Sequence, residues 1–424
     1  MATPQENESG ESAALLAEEP AATVGFVARW LESRRLARSF WLFLLASCLF
    51  NTGMFIYVLL YNLYLLDIGY KEDFLGLMSS FSTAGTVVGT FGAVILTRRL
   101  GLQRAVMVCL AGTATIAVLR SLVSTRAALL GLACLGGIFF ALWAISITVI
   151  IAQTTTAALR PFAFSVYLAT VIGIGIIADP VGGHLPIWLS HLLGIASAAE
   201  SKQIAMLIGC GFIYLAVLPV LFMRLGEETN HQRLKYPRNA FVVRFMLAVA
   251  VLNIATASFN PFANAYFSQQ LKVPVDQIGL IFSGGQIAQV IAILLSPLIL
   301  NKLGLIRGIM LMEVAAGVSL GVLATGPPAF AAALGFAGYV AFQWMDEPAM
   351  ESLLMTRVAP DERSGASALM YMTIFASGAI AAPSAGKGLT RFGYPAVLAV
   401  AASLLLLGGV LFWLLLKKYD KDTD

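Results

Sequence analysis

RRLGLQR at Arg98–Arg104 and NKLGLIR at Asn301–Arg307 are one loop written twice, 203 positions apart. Sliding the chain on itself by that offset superimposes a long window without a gap. Gly76 falls on Gly279, Ser80 on Ser283, Gly101 on Gly304 and Arg104 on Arg307. Arg160 falls on Arg363, Pro180 on Pro383 and Gly183 on Gly386. Apolar matches carry little weight in so hydrophobic a chain, but Gly, Pro, Ser and Arg matched at one offset mark an internal duplication. The chain is two copies of one unit.

Composition says what the unit is made of. Of 424 residues, 59% are hydrophobic and 12% charged, about half the charged fraction of an ordinary soluble domain. So little polar surface cannot cover so much apolar mass, which excludes a soluble enzyme, a nucleic-acid binder and a disordered scaffold. Lipid is the solvent for most of the chain. A bilayer-spanning helix needs about 20 mainly apolar residues. Runs of that kind begin near residues 40, 73, 104, 127, 161, 203, 241, 274, 307, 328, 363 and 394. The expected fold is an all-α membrane protein with 12 transmembrane helices in two pseudo-symmetric six-helix bundles.

Polar stretches set the expected boundaries. Residues 1–39 form an N-terminal tail whose amphipathic part, around Trp30, Leu31, Arg34, Arg35 and Arg38, lies along the inner headgroups. The tail lacks the layout of a signal peptide. The first bundle covers 40–225, a cytoplasmic linker 226–240, the second bundle 241–417, and a C-terminal tail 418–424. The stretch Pro186–Lys202 reads as an outer loop or surface helix. With the tail inside, the outer Lys and Arg are Lys71, Arg120, Arg126, Lys202, Lys272, Lys387 and Arg391; the rest of the 27 are inner. The positive-inside rule then places both termini in the cytoplasm, in a cell (inner or plasma) membrane.

Little else in the chain suggests chemistry. Cys48, Cys109, Cys134 and Cys210 sit in apolar runs without CxxC spacing and read as core residues. His184, His191 and His231 are too dispersed for a metal centre. Neither HExxH nor GxxxxGK[ST] occurs, so metalloenzyme chemistry and an ATP-driven pump are not expected. No enzyme activity, cofactor, metal or nucleic-acid partner is implied. The expected partners are a small-molecule solute, the bilayer and protons, with the protein a monomer.

With its duplicated six-span unit, its linker and a basic, glycine-containing loop after the second span of each half, the chain resembles the major facilitator superfamily from about residue 40 to 417. Arg99, Gly101 and Arg104, and in the second half Lys302, Gly304 and Arg307, follow the family's loop motif, although Arg98 and Asn301 stand where it carries Asp. GIGIIADPVGGH, Gly173–His184, is similar to the family's Gly-Pro-x-x-Gly-Gly motif through Pro180 and Gly183. A mechanical role suits both: Pro breaks a helix and Gly lets helices approach. The resemblance implies two bundles rocking about a midplane site lined by the first and fourth spans of each half.

Polar stripes are consistent with such a site. Gly53, Tyr57, Tyr61 and Tyr64 share one helical face, and the offset maps them onto Thr256, Asn260, Asn264 and Phe267. Lipid supplies no partner for such groups, so they are expected to face a cavity or other helices. Ser80, Thr83 and Thr86 map onto Ser283, Gln286 and Gln289, suited to interhelical hydrogen bonds or solute contact. The expected cavity residues are Tyr57, Tyr61, Trp143, Asn260, Asn264, Gln286, Gln289 and Trp344.

The tenth span holds FQWMDEPAMESLLM, Phe342–Met355. Asp346, Glu347 and Glu351 sit there in an otherwise apolar run beside the helix breaker Pro348. A charged carboxylate at a helix centre costs roughly 2.5–3.5 kcal/mol on insertion scales, so it is kept only if paired, hydrated or protonated. All three are proton-coupling candidates, Glu351 also lying near enough to the inner surface to be solvated or to pair with Arg357 or Arg363. Asp179 is expected to pair with Lys387, and Glu313 has no evident partner. The fourth span lacks a buried Arg, which argues for neutral, amphipathic or cationic solutes over anions. The expected function is a secondary active transporter of a small organic solute, working by alternating access, proton-coupled, with efflux favoured. The alternative is a passive uniporter or uptake symporter for a sugar-like neutral solute.

Overall fold

A computed structural model describes residues 38–156, 159–226 and 235–419. The amphipathic segment around Trp30 to Arg35, most of the linker and the last five residues lie outside the described residues. The described chain is helical throughout. Its helices are α1 (Arg38–Asp67), α2 (Glu72–Leu100), α3 (Leu102–Leu122), α4 (Arg126–Thr154), α5 (Arg160–Leu193) and α6 (Ala198–Leu221). The second half repeats the series as α7 (Ala240–Gln270), α8 (Val275–Leu303), α9 (Leu305–Ala324) and α10 (Ala329–Thr356). A last continuous run, Arg363–Leu416, is broken by Gly393 at φ 78° and ψ 171° into α11 (363–392) and α12 (394–416). Among the described residues, 9 helices are long and apolar enough to cross a membrane, this run counted once. α2 and α10 are as long but more polar.

One expectation is corrected here. α5 runs on to Leu193 with both Pro180 and Pro186 inside it, so only 194–197 separates it from α6. The stretch from Pro186 is helix because proline costs a helix one hydrogen bond, a loss that its neighbours can make good within a membrane.

Each half packs in the same way. α1 lies against α5 and α6, and α2 against α4; likewise α7 and α9 lie against the α11–α12 run, and α8 against α10. Phe43, Phe50, Trp143 and Tyr167 stack in the core of the first half. Phe259, Tyr266, Phe267, Phe336 and Tyr339 pack edge to face in the second. The loop motifs are turns of one shape: Gly101 (φ 77°) and Gly304 (φ 78°) are left-handed, with their N–H groups donating to Thr97 O and Leu300 O. Arg99, Arg104, Lys302 and Arg307 are exposed around those turns. The linker's exit is clasped to the loop before α11 by Lys235 and Asp361 at 2.8 Å. The Lys235 ammonium holds the Asp361 carboxyl below the usual carboxylate range, but so exposed a pair contributes little.

The halves meet along two equivalent seams, α5 with α8 and α2 with α11. At Gly279 a Cβ would collide with the carbonyl of Asp179, and at Gly76 with that of Ala382. Pro180 has no N–H to give the carbonyl of Ile176, and the Ser283 hydroxyl donates to it at 2.8 Å. Pro383 deprives Ala379 in the same way, and the Ser80 hydroxyl donates there at 2.6 Å. The matched glycines, serines and prolines of the duplication are therefore the hardware of the seams. Both seams lie toward the end bearing Gly69, as do the contacts of α1 with the broken part of α7.

Candidate functional site

Each half holds a cavity. The first, about 280 Å³, is lined by α1 to α4 and closed by Pro261 of α7. Tyr57 and Tyr61 stack on its wall, rings 5.1 Å apart and inclined by 16°. Tyr57 is anchored by its hydroxyl donating to Ala117 O at 3.3 Å. The guanidinium of Arg120 lies over the Tyr61 ring, 4.2 Å from its centroid.

The second cavity, about 300 Å³, is lined by α7, α9, α10 and α11, with Thr256, Asn260, Glu313, Gln343, Trp344, Asp346 and Glu347 among its residues. α7 is α-helical to Ala257, then makes a 3-10 turn at Asn260–Phe262 and a π turn at Tyr266–Gln270. Pro261, which cannot donate to Ala257 O, begins this break. The break presents Asn260 to the cavity, its Oδ1 accepting from the Tyr339 hydroxyl at 2.7 Å. Glu313 and Asp346, both 3% exposed, bring their carboxyls within hydrogen-bonding reach of each other. Glu313 also accepts from Gln343 Nε2 at 2.9 Å, whereas Asp346 Oδ2 is buried with no donor.

The expected cavity residues divide. Tyr57, Tyr61, Asn260 and Trp344 line the two cavities. Trp143 does not: it is 3% exposed in the first-half core, 4.7 Å from Phe50. Asn264 is spent on packing, its Nδ2 donating to Leu59 O at 2.9 Å and its Oδ1 accepting from Asn62. Gln286 belongs to a seam, where its Nε2 donates to Asp179 at 2.6 Å. Gln289 is buried in α8 and lines neither cavity.

The charges are corrected as well. Asp179 pairs with Gln286 and not with Lys387, which is exposed. Glu351 is exposed and accepts from the Tyr371 hydroxyl at 3.0 Å, not from Arg357 or Arg363. Glu313, without an evident partner in sequence, is the partner of Asp346. Arg120, counted among the outer cations, lines a cavity one turn inside its loop, which removes the argument against anions. Both were missed because pairing between helices depends on their rotation, which one sequence does not carry. One further motif has a plain reading. GVSLG at Gly317–Gly321 has hydrolase-like GxSxG spacing, yet Ser319 sits inside α9 and donates to Ala315 O at 2.9 Å. That is a helix interior, not the strand-to-helix elbow such a nucleophile needs.

Residues 245–424 match the family model for the Major Facilitator Superfamily. No curated protein matches the chain. Among solved structures, a variant of the nucleoside transporter NupG is 16% identical at a TM-score of 0.72, covering 89% of this chain and 98% of its own. A bacterial homologue of the human lysosomal transporter Spinster, inward-facing and unoccupied, is 13% identical at a TM-score of 0.72, covering 91% and 98%. A D-xylose–proton symporter is 14% identical at a TM-score of 0.68, covering 89% and 97%. At such identities the likeness is one of fold.

Proposed function

We propose that this chain is a member of the major facilitator superfamily, matched by that family's model over residues 245–424, and that it moves a small organic solute by alternating access, coupled to protons carried by Glu313 and Asp346. A multi-pass secondary transporter is supported by the family match over residues 245–424 and by the likeness of fold. The solute, the coupling and the sidedness are our reading.

The observation that carries the coupling is the buried carboxyl pair. Two carboxylates side by side away from water cannot both be ionised, so the pair holds a proton. Asp346 Oδ2, buried without a donor, is where that proton satisfies a hydrogen bond. Asn260, Trp344 and Glu347 line the same cavity as the pair, so a change in its hydration as the halves move changes the proton's hold. Proton symport of a sugar by structural neighbours supports the pairing of these two fluxes.

The sidedness rests on charge. The exposed Arg99, Arg104 and Lys302 surround the Gly101 and Gly304 turns, and this end is assigned to the cytoplasm. The seams then close the outer end, and both termini are cytoplasmic.

The test is a thermal-shift screen for a ligand, followed by flux of the best ligand in proteoliposomes under an imposed pH gradient. The gradient is expected to drive accumulation, and Glu313→Gln and Asp346→Asn, separately, are expected to abolish it while leaving solute counterflow. Undiminished gradient-driven flux in both variants would overturn the proposal.

A further inference from the structure

The acid pair leaves the first-half cavity without a role, and its chemistry is the opposite. Three buried donor atoms line it: Arg120 Nε, the Tyr61 hydroxyl, which lies within reach of that guanidinium, and Thr113 Oγ1, beside Cys109. All three can donate. No acidic side chain pairs with Arg120 among the described residues, and the nearby outer carboxylates are engaged elsewhere, Asp67 with Lys202 and Asp73 with Arg126. A cation–π contact offsets only part of the cost of burying a guanidinium. Three donors, one of them charged and without an acidic partner, therefore line one cavity.

The geometry points to Arg120, Tyr61 and Thr113 as the anchor for the oxyanion group of the solute, a carboxylate or phosphate on a planar organic body. The body's place is the stacked pair Tyr57 and Tyr61, which offers an aromatic face of matching shape. The guanidinium supplies a planar fork suited to an oxyanion, and the two hydroxyls add single donors. A cavity of about 280 Å³ suits a single-ring compound better than a larger one. The inference rests on the transporter reading and names its solute class: an organic anion held in the first half, with the proton held in the second.

The experiment is calorimetric titration of the purified full chain with four probes of one shape: benzoate, phenyl phosphate, benzamide and benzylamine. One of the two anions is expected to bind saturably and at least about tenfold more tightly than benzamide or benzylamine; which of them binds tells carboxylate from phosphate. Arg120→Gln is expected to erase that preference, and Arg120→Lys to keep part of it, since it retains charge but loses the fork. Tyr61→Phe and Thr113→Val, which keep shape, are each expected to weaken the anion severalfold with thermal stability unchanged, so the inference is testable even if Arg120→Gln does not fold. Equal binding of the neutral or cationic probe, an Arg120→Gln protein with unaltered anion affinity, or no anion binding at millimolar concentration overturns it. Binding needs no gradient, so its failure is distinct from that of the transport reading: Arg120-dependent binding without gradient-driven flux sinks only the latter.

Discussion

The two seams and the two cavities are both products of one duplication, yet the seams are copies and the cavities are not. At the seams, Gly76 repeats Gly279, and the proline-freed carbonyls of Ala379 and Ile176 receive Ser80 and Ser283. In the cavities the charged positions have apolar counterparts. Glu313 and Asp346 correspond to Leu110 and Trp143, and Arg120 corresponds to Leu323. α7 breaks at Pro261 where α1 carries Val58 and continues unbroken. A seam that opens and closes needs the same mechanics on both sides, so its parts stay matched. On the transport reading proposed above, a solute and a proton need different chemistry, which accounts for the diverging linings.

The sharpest way to break the comparison is at the close approach. A side chain at Gly76 or Gly279 meets backbone, which cannot move aside as the end of a side chain can. Gly76→Leu and Gly279→Leu are each expected to destabilise the closed end bearing Gly69 by about 1–3 kcal/mol or more. The readout is labelling of a cysteine introduced at the mouth of that end, with a lowered unfolding temperature. Equal effects support equivalent seams; an effect from only one would show that a single seam holds the gate.

A smaller effect separates the seams where they differ. Asp179 and Gln286 correspond to Ala382 and Thr83, so only the α5–α8 seam carries a buried carboxyl. Gln286→Leu leaves that carboxyl without its donor and is expected to cost about 1–3 kcal/mol. Thr83→Leu, on a residue whose hydroxyl bonds only within its own helix, is expected to cost less. Chemical unfolding in detergent measures both. A reversal of that order would mean that Asp179 draws its support from elsewhere.

Next come the seam serines. Ser80→Ala and Ser283→Ala each return a proline-freed carbonyl to an apolar setting, at about 1 kcal/mol apiece. The same unfolding series checks them, and the two values should agree within a few tenths of a kcal/mol, a spread that nearby context permits. A measurable cost at one site with none at the other would break the equivalence that their geometry implies.

The sequence carried the seams and withheld the linings, for a physical reason. Seam residues are small or helix-breaking, rare enough in an apolar chain for one offset to expose them. Tyr57 and Asn260 were legible too, because their shared position is polar in both halves. Asp346 and Glu347 are adjacent in sequence and both line the cavity, but only the rotation of α10 against α9 sets Asp346 on Glu313. Trp143 read as a cavity residue because aromatic and polar stripes look alike until packing selects a face. Arg120 reads as a loop cation because it lies two residues from the end of α3, where position alone does not separate a cavity wall from a headgroup.

The smallest expected effect tests how strictly a turn shared by both halves must be obeyed. The loop after α1 turns through Gly69 at φ 96°, and the loop after α7 through Lys272 at φ 56°, the same repeat position. Left-handed backbone costs an L-residue with a Cβ roughly 1–2 kcal/mol, and glycine is spared it. Lys272→Gly is therefore expected to stabilise by up to about 1 kcal/mol, part of the relief being returned as chain entropy in the unfolded state. Gly69→Ala is expected to destabilise by a similar amount, though open space surrounds that Cα, because the penalty is one of backbone and not of crowding. Opposite signs of comparable size, read as shifts of the unfolding midpoint, would show that both halves make one turn with different residues. A destabilising Lys272→Gly would mean instead that the lysine side chain holds the second turn in a way that the first does without.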